Sequence, residues 1–467
     1  MNETNNDIEK IELKWWEIKQ GITPYAKKKA LEKKANKHSK RKALQAMEAE
    51  KNKAQETVAK NQPHVKKQHA EKKQNLRKEI LPESSLFNSQ NIPKETKKIL
   101  ENFSSIIAST IPLNSKQRSQ LPGEIRSLSH HLTDERGERR VGYMNTPSSL
   151  TAYIHYFLRW NLVRLVKLFA NLPSDFFDFT DSKETICLDA GSGPLTIPTA
   201  LFLARPELRN RPLVWYCMDI SQQALSYGEN IFLSTAAALK CEAWKIVRVK
   251  GEFGTQIKDK VDFLTCGNVF NEIVDDYNFP PDYLAKKYTE KLLSYVNAEN
   301  KDSRILIVEP GTPKASRFVS LMRAALMRKE YFPCSPCTHC SECPMEGKKG
   351  GKWCNFAFST EDAPAELKKL SEKAGLPKER AVLSFLALKR STTKEDARSK
   401  EEKLTFRIAS DPIFLPEHKT GYYACSQKGL LLVESEERLY SGDSFSIPLP
   451  KYELKTDRKS GALKIRL

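Results

Sequence analysis

Apolar and polar residues change rhythm several times along the 467-residue chain. Up to about residue 80 the sequence is Lys/Ala/Glu-rich, with no Gly after Gly21 and hardly any large apolar side chain after Leu31. Such a segment can be helical but has no face to bury, so it reads as a solvated tail or as an arm that orders on RNA. From Pro82 to about Pro173 the rhythm is helical. Asn145-Thr146-Pro147-Ser148-Ser149 supplies a cap and an early-turn proline, and Tyr153, Ile154, Phe157, Leu158, Val163, Leu165, Val166 and Phe169 follow at helical spacing. Residues 185 to 310 alternate strands with helices, the mark of a parallel sheet with crossover helices. The strands are Thr185 to Asp189, Leu213 to Met218, Val261 to Cys266 and Arg304 to Val308. Each ends in a polar or Gly-rich loop, so the loops gather at the sheet edge where ligands bind in open α/β folds. Ala381 to Leu388 is a further strand, Lys389 to Lys403 a charged linker, and the remainder a set of short antiparallel strands that suggests a small barrel-like appendage.

These changes divide the chain into a basic arm (1–80), a helical layer (81–175), a Rossmann-like domain (176–330), a Cys-rich segment (331–360), the end of the core sheet (361–390) and a β-rich C-terminal domain (391–467). The fold class is therefore α/β. Charge adds a partner: 77 Lys/Arg against 58 Asp/Glu give +19, which favours a polyanion such as nucleic acid. The excess is concentrated between Ala26 and Lys78, with 18 Lys/Arg against 5 Asp/Glu. Arg136, Arg139 and Arg140 read as a solvated basic face. No apolar run approaches the roughly 20 residues that span a bilayer, and the opening MNETNNDIEK resembles neither a secretory nor a transit leader. The expectation is a soluble protein, cytoplasmic, or of the mitochondrial matrix if the source is eukaryotic.

The first strand runs into Asp189-Ala-Gly191-Ser-Gly193-Pro194 and then a helix, a turn that lets a ligand approach the backbone where side chains would block it. It is not the dinucleotide fingerprint, whose third glycine would fall at Thr196. It resembles the first motif of class I S-adenosylmethionine-dependent methyltransferases. That resemblance implies Asp189, Gly191 and Gly193 around the methionine part of the cofactor, Asp219 and Ile220 at the adenosine, and Asn268 lining the site. Gly267-Asn268-Val269-Phe270-Asn271-Glu272 carries no recognisable methylation signature, and Asn271 and Glu272 read as caps of the following helix. No catalytic residue stands out.

Five of the ten cysteines lie between Cys334 and Cys354, in a segment with too few large apolar residues to bury them as hydrophobes. A metal centre accounts for them, because a soft cation holding thiolates replaces the core that such a loop cannot make. Cys334, Cys337, Cys340 and Cys343 come within one residue of the bacterial ferredoxin spacing, and C-x-x-C pairs serve zinc equally. Disulfides are disfavoured, since the other five cysteines are scattered singly.

Taken together the motifs are similar to those of the methyltransferase-like small-ribosomal-subunit proteins, bacterial proteins and mitochondrial assembly factors. The resemblance rests on Tyr143-Met144-Asn145-Thr146-Pro147, Leu188 to Pro194, Glu309-Pro-Gly-Thr312, Cys337-Thr-His339 to Cys343-Pro344, and Trp353-Cys354-Asn355-Phe356. It implies a class I methyltransferase fold and a four-iron (4Fe-4S) cluster held by Cys337, Cys343, Cys354 and Cys425, with zinc as the alternative metal. It also implies a role on the small ribosomal subunit and its rRNA, as a protein that is monomeric off the ribosome. Cys334, Cys340 and Asn355 depart from the pattern, but ligation by Cys334 to Cys343 alone would leave Cys354 and Cys425 without a purpose. His339 reads as a neighbour of the centre or a surface residue. Three functions stay open: an S-adenosylmethionine-dependent rRNA methyltransferase with an iron–sulfur cluster, a non-catalytic assembly factor, and a zinc-ribbon RNA methyltransferase.

Overall fold

The helices of the N-terminal layer and the strands after them form because their apolar positions are buried on schedule. In the computed structural model, residues 81–133, 143–179, 184–273, 279–348, 351–391 and 403–467 are described, all within the compact unit Ile80–Leu467. The basic arm and Arg136, Arg139 and Arg140 lie outside the described residues. A short strand β1 (Ser84–Ser85) leads to helices α1 (Lys94–Glu101), α2 (Phe103–Thr110), α3 (Ser115–Thr133), α4 (Pro147–Ala152) and α5 (Arg159–Asn171). The helix expected from Leu150 onward is interrupted by a wider π turn over Tyr153–Leu158, a feature that side-chain periodicity does not encode and that often occurs at functional positions.

The central sheet contains β2 (Thr185–Ala190), β3 (Leu213–Asp219), β4 (Lys245–Lys250), β5 (Phe263–Gly267), β6 (Arg304–Pro310), β7 (Tyr331–Ser335), β8 (Phe356–Ser359) and β9 (Arg380–Arg390). Its order is β4-β3-β2-β5-β6-β9-β7, with β8 also paired to β9. Strands β2 to β6 run parallel, whereas β9 is antiparallel to β6, β7 and β8. Successive residues feed opposite cores: Cys187, Trp215 and Phe263 join one apolar cluster, and Leu188, Tyr216 and Leu264 the other. Burial on both faces is why these strands read as continuous apolar runs. Strand β4 escaped the sequence pattern because Lys-Ile-Val-Arg-Val-Lys is a half-exposed edge with no such run. The Cys-rich segment is likewise held at both ends by strands of the central sheet, β7 and β8.

Helices α6 (Thr196–Ala204) and α7 (Gln222–Ala238) lead from β2 to β3 and from β3 to β4, α8 (Phe270–Ile273) and α9 (Pro281–Tyr295) from β5 to β6, and α10 (Pro313–Met327) from β6 to β7, whereas β4 passes to β5 through a loop; α11 (Ala365–Lys373) packs beside the N-terminal layer. A second sheet contains β10 (Lys403–Ile408), β11 (Ile413–Phe414), β12 (Thr420–Ser426), β13 (Gly429–Ser435), β14 (Asp443–Pro448) and β15 (Leu463–Arg466) in the order β1-β14-β10-β12-β13-β15, with β11 on β12. It has its own apolar cluster around Phe406, Tyr422 and Phe445. The pairing of β1 with β14 ties the start of the described chain to this sheet, a contact across more than 350 residues that no local pattern announces. Among the described residues no helix is long and apolar enough to cross a membrane.

Candidate functional sites

Strand order reverses at β2: β3 lies on one side and β5 on the other, which opens a crevice beyond their carboxyl ends. The glycine turn sits at that point. Gly191 and Gly193 take positive φ (72° and 52°), as do Leu195 (55°) and Asn268 (59°), and glycine adopts this conformation without a Cβ penalty. Gly191 is also required by space, because a Cβ there would stand 2.5 Å from Val269 Cγ2. The backbone N–H groups of Gly191 and Ser192 both donate to Met218 O at 2.9 Å.

Two carboxylates fix the turn from different sides. Asp189 is almost fully buried; its oxygens accept the hydroxyls of Ser192 and Thr265, each at 2.7 Å. Burial pushes its pKa up to about 7, against the pull of those hydrogen bonds. Asp189 therefore acts from beneath the turn. Asp219, at the end of β3, accepts the N–H of Gly193 at 2.9 Å and that of Ser221 at 2.8 Å. Ser221 caps α7 through Ala224 N and donates its hydroxyl to Met144 O, while a Cβ on Gly193 would lie 3.7 Å from Met144 Cε. The Tyr143-Met144-Asn145 segment thus lies against the glycine turn. Ile220, half-buried, comes directly after Asp219.

Opposite, Asn268 is held by its N–H to Val308 O at 2.8 Å and by Arg164 Nη2 to its Oδ1 at 3.2 Å. Glu309, fully buried at the end of β6, accepts the N–H groups of Phe270 at 2.8 Å and Asn271 at 3.1 Å. The cap of α8 is thus Glu309; Asn271 and Glu272, expected to cap it, lie inside it. Burial drives Glu309 up to about 8. Tyr153, in the π turn, has Glu272, Asp219 and Arg164 as electrostatic neighbours. Arg164 and Tyr153 come from the helical layer, and the sequence offered no signal for them beyond helical spacing.

The second site forms between the two sheets. The thiol of Cys425, on β12, has those of Cys337, Cys343 and Cys354 as electrostatic neighbours; burial first, and their field second, push its pKa well up. Cys354 in turn feels Cys343 and Cys337. Cys334 has different neighbours, Asp175, Lys389 and Arg304, and burial raises it to about 11. Cys340 feels Cys337 and Arg323. The four thiols are neighbours without closing to the spacing of ligands about one ion: among the described residues no group of three or more His, Cys, Asp or Glu is set that closely. Around them, Arg323 Nε donates to Cys337 Sγ at 3.2 Å and its Nη2 to His339 O at 2.8 Å, and His339 Nε2 lies 3.1 Å from Cys425 Sγ. Arg407, on β10, donates to Pro336 O and Gly442 O, both at 2.6 Å. His339 is buried, not at the surface. The site thus gathers four half-buried cysteines from separate segments of the chain, with guanidinium groups beside them, and thiolates are the donors that soft metals take.

The strand order and the glycine turn at its switch point define a class I methyltransferase fold. The chain belongs to the Rsm22 family, described as mitochondrial small ribosomal subunit Rsm22, which matches residues 183–431, just over half of its length. Solved structures are similar to it at low identity. A plantazolicin methyltransferase in complex with SAH is 13% identical over 59% of this chain and 98% of its own, with a TM-score of 0.28. Mitomycin 7-O-methyltransferase is 14% identical over 65% and 76%, with a TM-score of 0.27. An RNA methyltransferase from Salinibacter ruber is 11% identical over 27% and 64%, with a TM-score of 0.18. No curated protein matches the chain.

Proposed function

We propose that the protein binds S-adenosylmethionine in the crevice at the ends of β2, β3 and β5 and acts on the rRNA of the small ribosomal subunit as a methyltransferase. The observation that carries the cofactor reading is Asp219. Its oxygens accept the backbone N–H groups of Gly193 and Ser221, and a carboxylate has about four lone-pair sites in all, so acceptor capacity is left for ribose hydroxyls. Gly191, Gly193, Ile220 and Asn268 would line the rest of the pocket, with Asp189 holding the turn from below. The cofactor, when bound, supplies an electrophilic methyl group. The chain's part is to position the acceptor, and Tyr153, Arg164 and Asn268 stand where the helical layer meets the crevice.

Membership of the Rsm22 family supports the small subunit as partner, and the basic arm supports contact with RNA. We place such a protein in the mitochondrial matrix of a eukaryotic cell, or in the cytoplasm of a bacterium, as a monomer off the ribosome. Cys337, Cys343, Cys354 and Cys425 would hold a four-iron cluster, with zinc as the alternative, and so fasten the second sheet to the first.

A second reading, a non-catalytic assembly factor, is favoured by one feature. Asp189, Asp219 and Glu309 all spend oxygens on hydrogen bonds that hold loops, and none of them is offered as a base. Purified protein given labelled S-adenosylmethionine and immature small subunits separates the two. Incorporation that Asp219→Ala abolishes supports the enzyme; subunit binding without incorporation supports the factor.

A further inference from the structure

Arg323 is a buried cation on α10, 4% exposed, and a buried charge is costly unless an opposite charge or hydrogen bonds offset it. Among the described residues no carboxylate lies within ion-pair reach of it. Its partners are instead the sulfur of Cys337, at 3.2 Å from Nε, and the carbonyl of His339, at 2.8 Å from Nη2. Cys343 and Cys425 are further electrostatic neighbours. One side chain therefore grips the loop at two points, and that loop carries both Cys337 and the imidazole that reaches Cys425 at 3.1 Å.

This placement has a purpose if the thiols carry a metal. Four thiolates bring more negative charge than the metal core neutralises, and in a buried site the remainder needs a counterion. A planar guanidinium that is always charged and donates in a fixed fork suits that role better than an ammonium group. Hydrogen bonds to ligand sulfurs and the net charge around a cluster also set its reduction potential.

Resting on the reading of these four cysteines as a metal centre, we propose that Arg323 is its positioning residue and counterion. It fixes Cys337 Sγ and the His339 loop against Cys425, and it offsets the charge of the metal–thiolate core. Loss of Arg323 then loosens the metal and makes a cluster harder to reduce, whether or not any methyl transfer is affected.

The test compares the full chain with Arg323→Gln and Arg323→Lys after anaerobic purification, reading iron and acid-labile sulfide content, the rate of iron loss to a chelator, and the reduction midpoint. Arg323→Gln is expected to lose iron on the order of ten times faster than wild type and to show a more negative midpoint, with Arg323→Lys in between. Wild-type values for both variants overturn the proposal. Where Arg323→Gln is recovered unfolded, Arg323→Lys decides on the same two readings. A wild-type protein with neither metal nor sulfide refutes the centre itself, and this proposal with it, which is distinct from a loaded protein indifferent to Arg323. Zinc in place of iron leaves the chelator rate to decide alone.

Discussion

Asp219 Oδ2 accepts the backbone N–H of Gly193 at 2.9 Å, so the end of one strand locks the glycine turn at the end of its neighbour. A hydrogen bond to a charged group contributes about 1.5–3 kcal/mol. Asp219→Ala is therefore expected to weaken binding of S-adenosylhomocysteine by roughly ten- to a hundred-fold in calorimetric titration, and Asp219→Asn by less. Unchanged affinity in Asp219→Ala would remove this crevice as the cofactor site.

Gly191 combines a positive φ with a Cβ position only 2.5 Å from Val269 Cγ2. Strain in the left-handed region costs about 1–2 kcal/mol and overpacking typically about 1–3 kcal/mol, so Gly191→Ala is expected to lower the Tm by several degrees. Adding Val269→Ala relieves the collision and leaves the backbone strain. Recovery of part of the loss is the expected melting result; no recovery means that the clash is not the cause.

Glu309 holds its proton more tightly in the fold than in the unfolded chain, since burial lifts its pKa from 4.5 to about 8. For a raised acid the contribution to stability is complete below the unfolded value and is lost as pH climbs through the folded one. Asp189, raised to about 7, acts in the same direction. The stability of wild type relative to Glu309→Gln is thus expected to fall between about pH 4.5 and 8. Parallel curves of Tm against pH for the two proteins would show that Glu309 does not titrate in this window.

Cys425 neighbours Cys337, Cys343 and Cys354, whereas Cys334 faces Arg304 and Lys389. Iron and sulfide are expected to be lost together in Cys425→Ser and in Cys354→Ser, and to be retained in Cys334→Ser. Full retention in Cys425→Ser, with loss in Cys334→Ser, would transfer the centre to the ferredoxin-like set.

Residues 26–78 carry 18 Lys/Arg against 5 Asp/Glu. Each phosphate contact adds about 0.7–0.9 to the slope of log affinity against log salt. Removing residues 1–80 is expected to weaken rRNA binding and flatten that slope, read by filter binding over a salt series. An unchanged slope would assign the contacts to the rest of the chain.

By itself the sequence determined whatever depends on neighbours along the chain. The strands buried on both faces, the glycine turn and the clustered cysteines were readable because burial and backbone conformation leave a local residue pattern. The edge strand Lys245–Lys250 left none, since all six of its side chains are half-buried or exposed and it carries no continuous apolar run. The π turn was invisible because it alters hydrogen bonding rather than periodicity. Only the tertiary structure decided which distant groups meet: Arg164 with Asn268, Arg323 with Cys337, and His339 with Cys425. A buried charge or thiol takes its partner from whatever the packing of sheets and helices brings within a few ångströms, and no repeat along the chain records that meeting.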